Sequence, residues 1–233
     1  MQMGLSNFYR LDCKLDNFPE FWYVYGAGGL GRETMEIVID ALHKSRNFSV
    51  KPVFVEDNTS KQKLMNIPVI DISECKPGAW VTVAVGEPKV RVVLRERALA
   101  KKLILKSAIS PSAIISESAE IGAGSIIAPF CSVQAQAKIG SNVAINTMAI
   151  IGHDVHINDN AVISSMVNIG GATQVAEQAY IGMGTLIKEG LNIGERSIIS
   201  MGSVVFRDIP EKVIAVGNPA RVAKRNENEK VFK

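Results

Sequence analysis

The sequence predicts two unlike parts, an α/β region followed by an all-β region. The first is a small Rossmann-like βαβ domain and the second a parallel β-helix of hexapeptide repeats. Three observations carry this. Taking every sixth residue from Ile109 to Val205 gives seventeen positions, and all are β-branched aliphatics. Between those ends only ten residues are charged, roughly half the density implied by the chain-wide 21%. Upstream, Phe21-Trp22-Tyr23-Val24-Tyr25 runs directly into the glycine-rich segment Gly26 to Gly31.

Residues 1–20 precede the first strand-like run and read as an N-terminal extension. Leu5, Phe8, Leu11, Leu15 and Phe18 would share one helical stripe, although Gly4 and Asn17 interrupt it. The α/β domain is placed at 21–106. Its β-prone run at 21–25 leads through the glycines into Arg32–Lys44, where Met35, Ile37, Val38, Ile39 and Leu42 suit a helix buried on one side. Val53-Phe54-Val55 makes a second strand ending at Glu56-Asp57, and Trp80–Val85 a third ending at Gly86. Lys89–Lys101 reads as a second helix. Strands alternating with helices imply a parallel sheet with crossovers. About 85 residues are enough for one mononucleotide-binding half, not for a two-half dinucleotide fold.

The repeat region is placed at 107–206. The residue two before each aliphatic is small in most hexads, and glycine often follows, as in Ile121-Gly122, Ile151-Gly152 and Ile169-Gly170. A period of six matches neither a helix nor a hairpin. It matches short strands whose alternate residues face inward, three to a triangular coil of 18 residues. A narrow triangular interior admits Ile, Val and Ala but few aromatics. That accounts for a chain 47% hydrophobic and only 6% aromatic. Residues 207–233 read as a tail that leaves the prism at Ile209-Pro210.

The net charge of +3 is small and dispersed, which argues against a nucleic-acid partner. Cys13, Cys75 and Cys131 form no CxxC pair and are odd in number, which points to a reducing, cytoplasmic setting. The sequence has no apolar run of about 18 residues that could span a membrane, and its first residues lack the pattern of a secretory signal.

Four features occur together: the glycine-rich βα unit, the unbroken hexapeptide array, the string Asn146-Thr147-Met148-Ala149-Ile150-Ile151-Gly152-His153-Asp154, and Val216-Gly217-Asn218-Pro219-Ala220-Arg221. In this the chain resembles bacterial acetyl-CoA-dependent sugar acetyltransferases, among them nucleotide-activated amino-sugar N-acetyltransferases and sialic acid O-acetyltransferases. The resemblance covers about 21–224. It implies a left-handed β-helix, a homotrimer, acetyl-CoA between neighbouring prisms and a nucleotide-sugar held by the N-terminal domain. It calls for no metal.

His153 follows Ile151 by two residues, at a coil corner, where a side chain points outward. A neutral imidazole suits removal of a proton from an attacking amine or hydroxyl. Asp154 is placed to orient it. One coil further, 18 residues on, stands Gly171, preceded by Gly170. A glycine stacked on the histidine leaves room for a thioester, and its N–H suits an oxyanion. Of the other histidines, His43 reads as a helix-end residue and His156 as an outward residue in the middle of a side. By resemblance Asn146 lies near the acceptor amine, and Arg221, Lys224 and Arg225 near CoA. Relatives often carry a second histidine nine residues after the first; here that position is Val162. Gly26, Gly28, Gly29 and Gly31 suit a phosphate at a helix N-terminus. Glu56 or Asp57 suits a ribose hydroxyl, and Gly86, Lys89 and Arg91 could support the same ligand.

The reading favoured by these residues is acetyl transfer from acetyl-CoA to the amine of a UDP- or dTDP-linked amino sugar. O-acetylation of a sialic-acid type sugar and a non-catalytic β-helix are alternatives. A nicotinamide-linked oxidoreductase is disfavoured by the short N-terminal domain.

Overall fold

The computed structural model describes residues 18–60 and 62–232. The proposed stripe from Leu5 to Leu15 lies outside the described residues; Phe18 is within them and packs edge-on against Trp80. The α/β domain holds β1 (Phe21–Tyr25), α1 (Gly29–Lys44), β2 (Lys51–Val55), β3 (Lys63–Leu64), β4 (Ile67–Ile70), β5 (Trp80–Val83), α2 (Pro88–Ala100) and β6 (Ile104–Leu105). Their order in the sheet is β3-β4-β2-β1-β5-β6, parallel except for β3 against β4. Successive residues of β1 alternate between two cores. Trp22 and Val24 pack with Met35 and Val38 of α1, while Tyr23 and Tyr25 pack with Leu94 and Ala98 of α2. One helix on each face of a sheet buried on both sides explains why β1 is apolar throughout rather than alternating. α1 starts three residues before the sequence suggests, because Gly29 and Gly31 already lie in its first turn.

Seventeen two-residue strands follow, β7 (Ala108–Ile109) to β23 (Val204–Val205), and each ends on one of the seventeen aliphatics. They stack into three parallel sheets, the faces of a triangular prism. The first face carries β7, β10, β13, β16, β19 and β22, the second β8 to β23 in steps of three, and the third β9 to β21 likewise. Ile145, Ile151, Ile157, Ile163 and Ile169 are almost wholly buried, each contributing about 1.5–3 kcal/mol by leaving water. One residue per corner is left-handed. From Gly124 to Gly202 every sixth residue has φ between 53° and 76°, Asp154 among them at 58°.

The α/β domain rests on the first face. α1 packs against β7, and the hydrophobic core of the domain runs on into the prism interior through Ala108 and Ile126. Arg91 of α2 is the polar pin. It is fully buried, its guanidinium donating to the Val83 and Val85 carbonyls and, 2.8–2.9 Å away, to the backbone and side-chain oxygens of Asn142 at the corner between the third and first faces. Burial pulls its pKa down to about 9, still charged at neutral pH.

The tail differs from expectation. The chain does not leave the prism at Ile209. That residue is buried and bridges Ile193, and β24 (Val213–Val216) extends the first face before β25 (Arg221–Arg225) folds back on it antiparallel. Apolar residues at 209, 213 and 215 continue the stacking although the hexad spacing has ended.

Candidate active site

His153 stands at the corner between the second and third faces. Its Nδ1 lies 2.8 Å from Asp154 Oδ2, and both side chains are more than half exposed. A carboxylate only accepts, so Nδ1 is the donor in this contact, and in the neutral ring Nε2 is then the nitrogen with the lone pair. The left-handed φ of Asp154 lets neighbouring residues in sequence meet in this way. The free Nε2 points at Gly171 one coil on, where an added Cβ would lie 2.5 Å from it. The ring position therefore requires glycine there. The flanking amides are used, Gly170 N–H by the Ile187 carbonyl and Ala172 N–H by the His153 carbonyl. Among the described residues no acceptor takes the Gly171 N–H, which leaves it for a ligand oxygen. Gly170 has a different reason to be glycine: its Cβ would meet the Glu189 backbone at 2.5 Å, so it serves coil stacking.

The second candidate region is the crevice beyond the carboxyl ends of β1 and β5. β2 lies on one side of β1 and β5 on the other, so the order of strand addition reverses here although all three strands are parallel, and this is the place where open α/β sheets bind ligands. The four glycines divide by role. Gly31 permits close packing, since a Cβ would overlap the Gly26 carbonyl oxygen at 1.9 Å. Gly26 has φ +119° and presses on Ala84. Gly28 and Gly29 face open space at the start of α1, whose first turn holds no acidic side chain. That is an anion cradle in outline.

Several expected ligand residues are engaged elsewhere. Asp57 is held by the Tyr25 hydroxyl at 2.6 Å and by Arg97, so both its oxygens tie β2 to β1 and α2 rather than awaiting a ribose. Burial, then the Asp57 hydrogen bond, raises the Tyr25 pKa. Glu56, half-buried beside it, accepts from Thr59. Arg91 is the interdomain pin already described, and Lys89 pairs with Glu229 at 3.4 Å. Gly86 lies against the Phe232 ring. No sequence signal separated these uses from ligand binding, because the same residue types serve both.

Asn146 follows a strand of the first face. Its side-chain oxygen is buried without a partner among the described residues, an acceptor in want of a donor. Val162 lies on the same face and is 1% exposed, packed between Ala144 and Tyr180, so it offers nothing polar. His156 is half-buried on the third face between Lys138 and Gln174. His43 is in the last turn of α1 beside Phe48, the helix-end position expected of it. Arg221, Lys224 and Arg225 are exposed along β25. Burial pushes the Cys131 thiol up to about 11 and the Cys75 thiol up to about 12, so neither suits a nucleophile at neutral pH. Among the described residues no cluster of His, Cys, Asp and Glu could hold a metal.

No known family profile matches the chain. The GDP-perosamine N-acetyltransferase of Escherichia coli O157:H7 is 30% identical over 112 residues, a stretch covering 46% of this chain and 50% of that protein, so the match spans half its length. The acetyltransferase domain of PglB from Neisseria gonorrhoeae FA1090, solved with acetyl coenzyme A, superposes with a TM-score of 0.81 at 30% identity over 87% of this chain and 98% of the domain. PerB from Caulobacter crescentus, solved with CoA and GDP-perosamine, superposes at 0.75 with 26% identity over 86% and 96%. A fold shared over nearly the whole of these two structures, at 30% identity to the first, places the chain in the left-handed β-helix family of bacterial nucleotide-sugar acetyltransferases.

Proposed function

We propose that the protein moves the acetyl group of acetyl-CoA to the amine of a nucleotide-linked amino sugar. The observation that carries this is the oriented imidazole of His153 over the side-chain-free Gly171. The amine nitrogen attacks the thioester carbonyl carbon while Nε2 accepts the proton it sheds. The oxyanion so formed faces the Gly171 N–H. Collapse expels the CoA sulfur, which leaves as the thiol with the proton returned by the imidazolium. A base of this kind is worth about 10²–10⁴-fold in rate. Asp154 holds the tautomer. The amides of Gly28 and Gly29 receive the diphosphate, and Arg221 and Lys224 the nucleotide end of CoA. An N-acetyltransferase is favoured over an O-acetyltransferase because one relative named above is a GDP-perosamine N-acetyltransferase and another was solved with CoA and GDP-perosamine, and GDP-perosamine is the first acceptor to try, ahead of UDP- and dTDP-4-amino sugars.

We further propose a homotrimer working in the cytoplasm, where acetyl-CoA is made and free thiols persist. Among the described residues no helix is long and apolar enough to cross a membrane. Two observations support assembly. Phe130, Met148 and Met166 stack exposed along the first corner, and Ile114, Ile150 and Leu186 stand exposed on the second face, alternating with Ser132 and Asn168. The crevice lies over the first face, and in a triangular prism the corner between the other two faces is opposite it. A nucleotide-sugar held by one copy therefore faces away from that copy's own His153, and in the trimer it is the His153 of a neighbour that serves it. Light scattering checks the assembly, with three times 25.2 kDa expected. The activity itself is tested by thiol release from acetyl-CoA with each nucleotide-amino sugar; no release across the panel rejects the reading.

A further inference from the structure

The segment 226–232 has a use that neither the repeat nor the crevice glycines account for. It leaves β25 and crosses to the α/β domain, held at three points. Asn226 is buried, its side chain donating to the Arg196 carbonyl at 2.9 Å and its N–H to the Lys212 carbonyl at 2.8 Å. Glu229 pairs with Arg196 at 3.0 Å and Lys89 at 3.4 Å, and those cations, Arg196 first, lower its pKa. At the far end Glu87, the residue before α2, gives its helix no side-chain cap. Its carboxylate instead accepts from the Val231 N–H at 3.0 Å and the Phe232 N–H at 3.1 Å. The Phe232 ring lies against Gly86 and edge-on to Tyr180, with centroids 5.8 Å apart. Tyr180 is on the first face, so the ring, though about half exposed at 54%, touches both prism and crevice loop.

The loop it grips, Ala84 to Glu87, is one wall of the crevice. The other wall is Gly26, where an added Cβ would lie 2.7 Å from the Ala84 carbonyl oxygen, so the two loops are in direct backbone contact. We propose that residues 226–232 are a positioning strap, in which Glu87 and Phe232 fix the β5–α2 loop in the form that receives the nucleotide diphosphate. The inference rests on the nucleotide-sugar reading above and extends it: the acceptor side of the reaction depends on a segment anchored to the far end of the prism. Glu87 and Phe232 act through the loop and touch no reacting atom.

The test compares wild type, Phe232→Ala, Glu87→Ala, Glu87→Gln and a chain shortened to end at Asn226. The strap predicts KM for the nucleotide-sugar raised about tenfold, KM for acetyl-CoA unchanged and kcat held within about twofold. Gln, which still accepts one N–H, recovers part of the loss. Adding Glu87→Ala to the shortened chain adds nothing. Hydrogen exchange of the unliganded protein supplies a readout free of activity. Amides of 26–29 and 84–87 exchange faster without the strap, while those of β1 and β2 do not change. Unchanged exchange at both loops overturns the strap, as does an equal rise in both KM values. Wild type that turns over no nucleotide-sugar while the loops still loosen overturns the activity reading and the strap's role in substrate binding together.

Discussion

His153, Asp154 and Gly171 form the smallest unit of the account, and each can be separated from folding because all three lie at exposed or half-exposed corner positions. His153→Ala removes the base and is expected to cut kcat by about 10²–10⁴-fold with an unchanged melting temperature. Asp154→Asn keeps the polar contact but loses the acceptor-only partner that fixes the tautomer, and a smaller loss in kcat is expected. Gly171→Ala places a methyl 2.5 Å from Nε2, so the ring must turn away. Single-turnover rates should fall while circular dichroism stays that of wild type. The pairing of His153 with a glycine 18 residues on was legible in the sequence because the coil length follows from the period. The engagement of Asp57 by Tyr25 and Arg97 was not, since an acidic residue at a strand end looks the same whether it faces a ribose or its own fold.

At the scale of the coil, inward and outward positions of one strand should behave oppositely. Ile169 is fully buried and its neighbour Asn168 exposed. Ile169→Ala is expected to cost about 2–5 kcal/mol and Asn168→Ala to stay within about 0.5 kcal/mol, both read from urea unfolding. The prism was almost wholly readable, strand by strand, because a two-residue strand leaves no freedom over which residue points inward. The left-handed corner residues were not. At Met148, Asp154 and Met166 a non-glycine takes a conformation that composition alone does not suggest, and coil closure imposes it. The continuation through Ile209 and Val213 was missed because the sixfold spacing had stopped while apolar stacking had not.

For the whole molecule, the decisive feature is how the parts are joined. Among the described residues Arg91 has no carboxylate partner, and it is held by carbonyls and Asn142. Arg91→Met strands those acceptors, and a loss of at least about 3 kcal/mol is expected by urea unfolding. A helix arginine following a strand reads as a phosphate ligand, and only the packing of α2 on the prism shows otherwise. The opposed placement of crevice and His153 makes a sharper prediction. His153→Ala and Gly28→Asp, the latter setting a carboxylate in the anion cradle, are each inactive alone. Co-expressed, they should regain about a quarter of the sites, one half times one half, if each site takes its base from one copy and its crevice from another. No recovery would place both halves of the site in one chain. The most direct test of the central claim remains thiol release from acetyl-CoA in the presence of GDP-perosamine and related amino sugars, comparing wild type with His153→Ala. Release by wild type that disappears in the folded variant is the predicted result; equal release by both would contradict it.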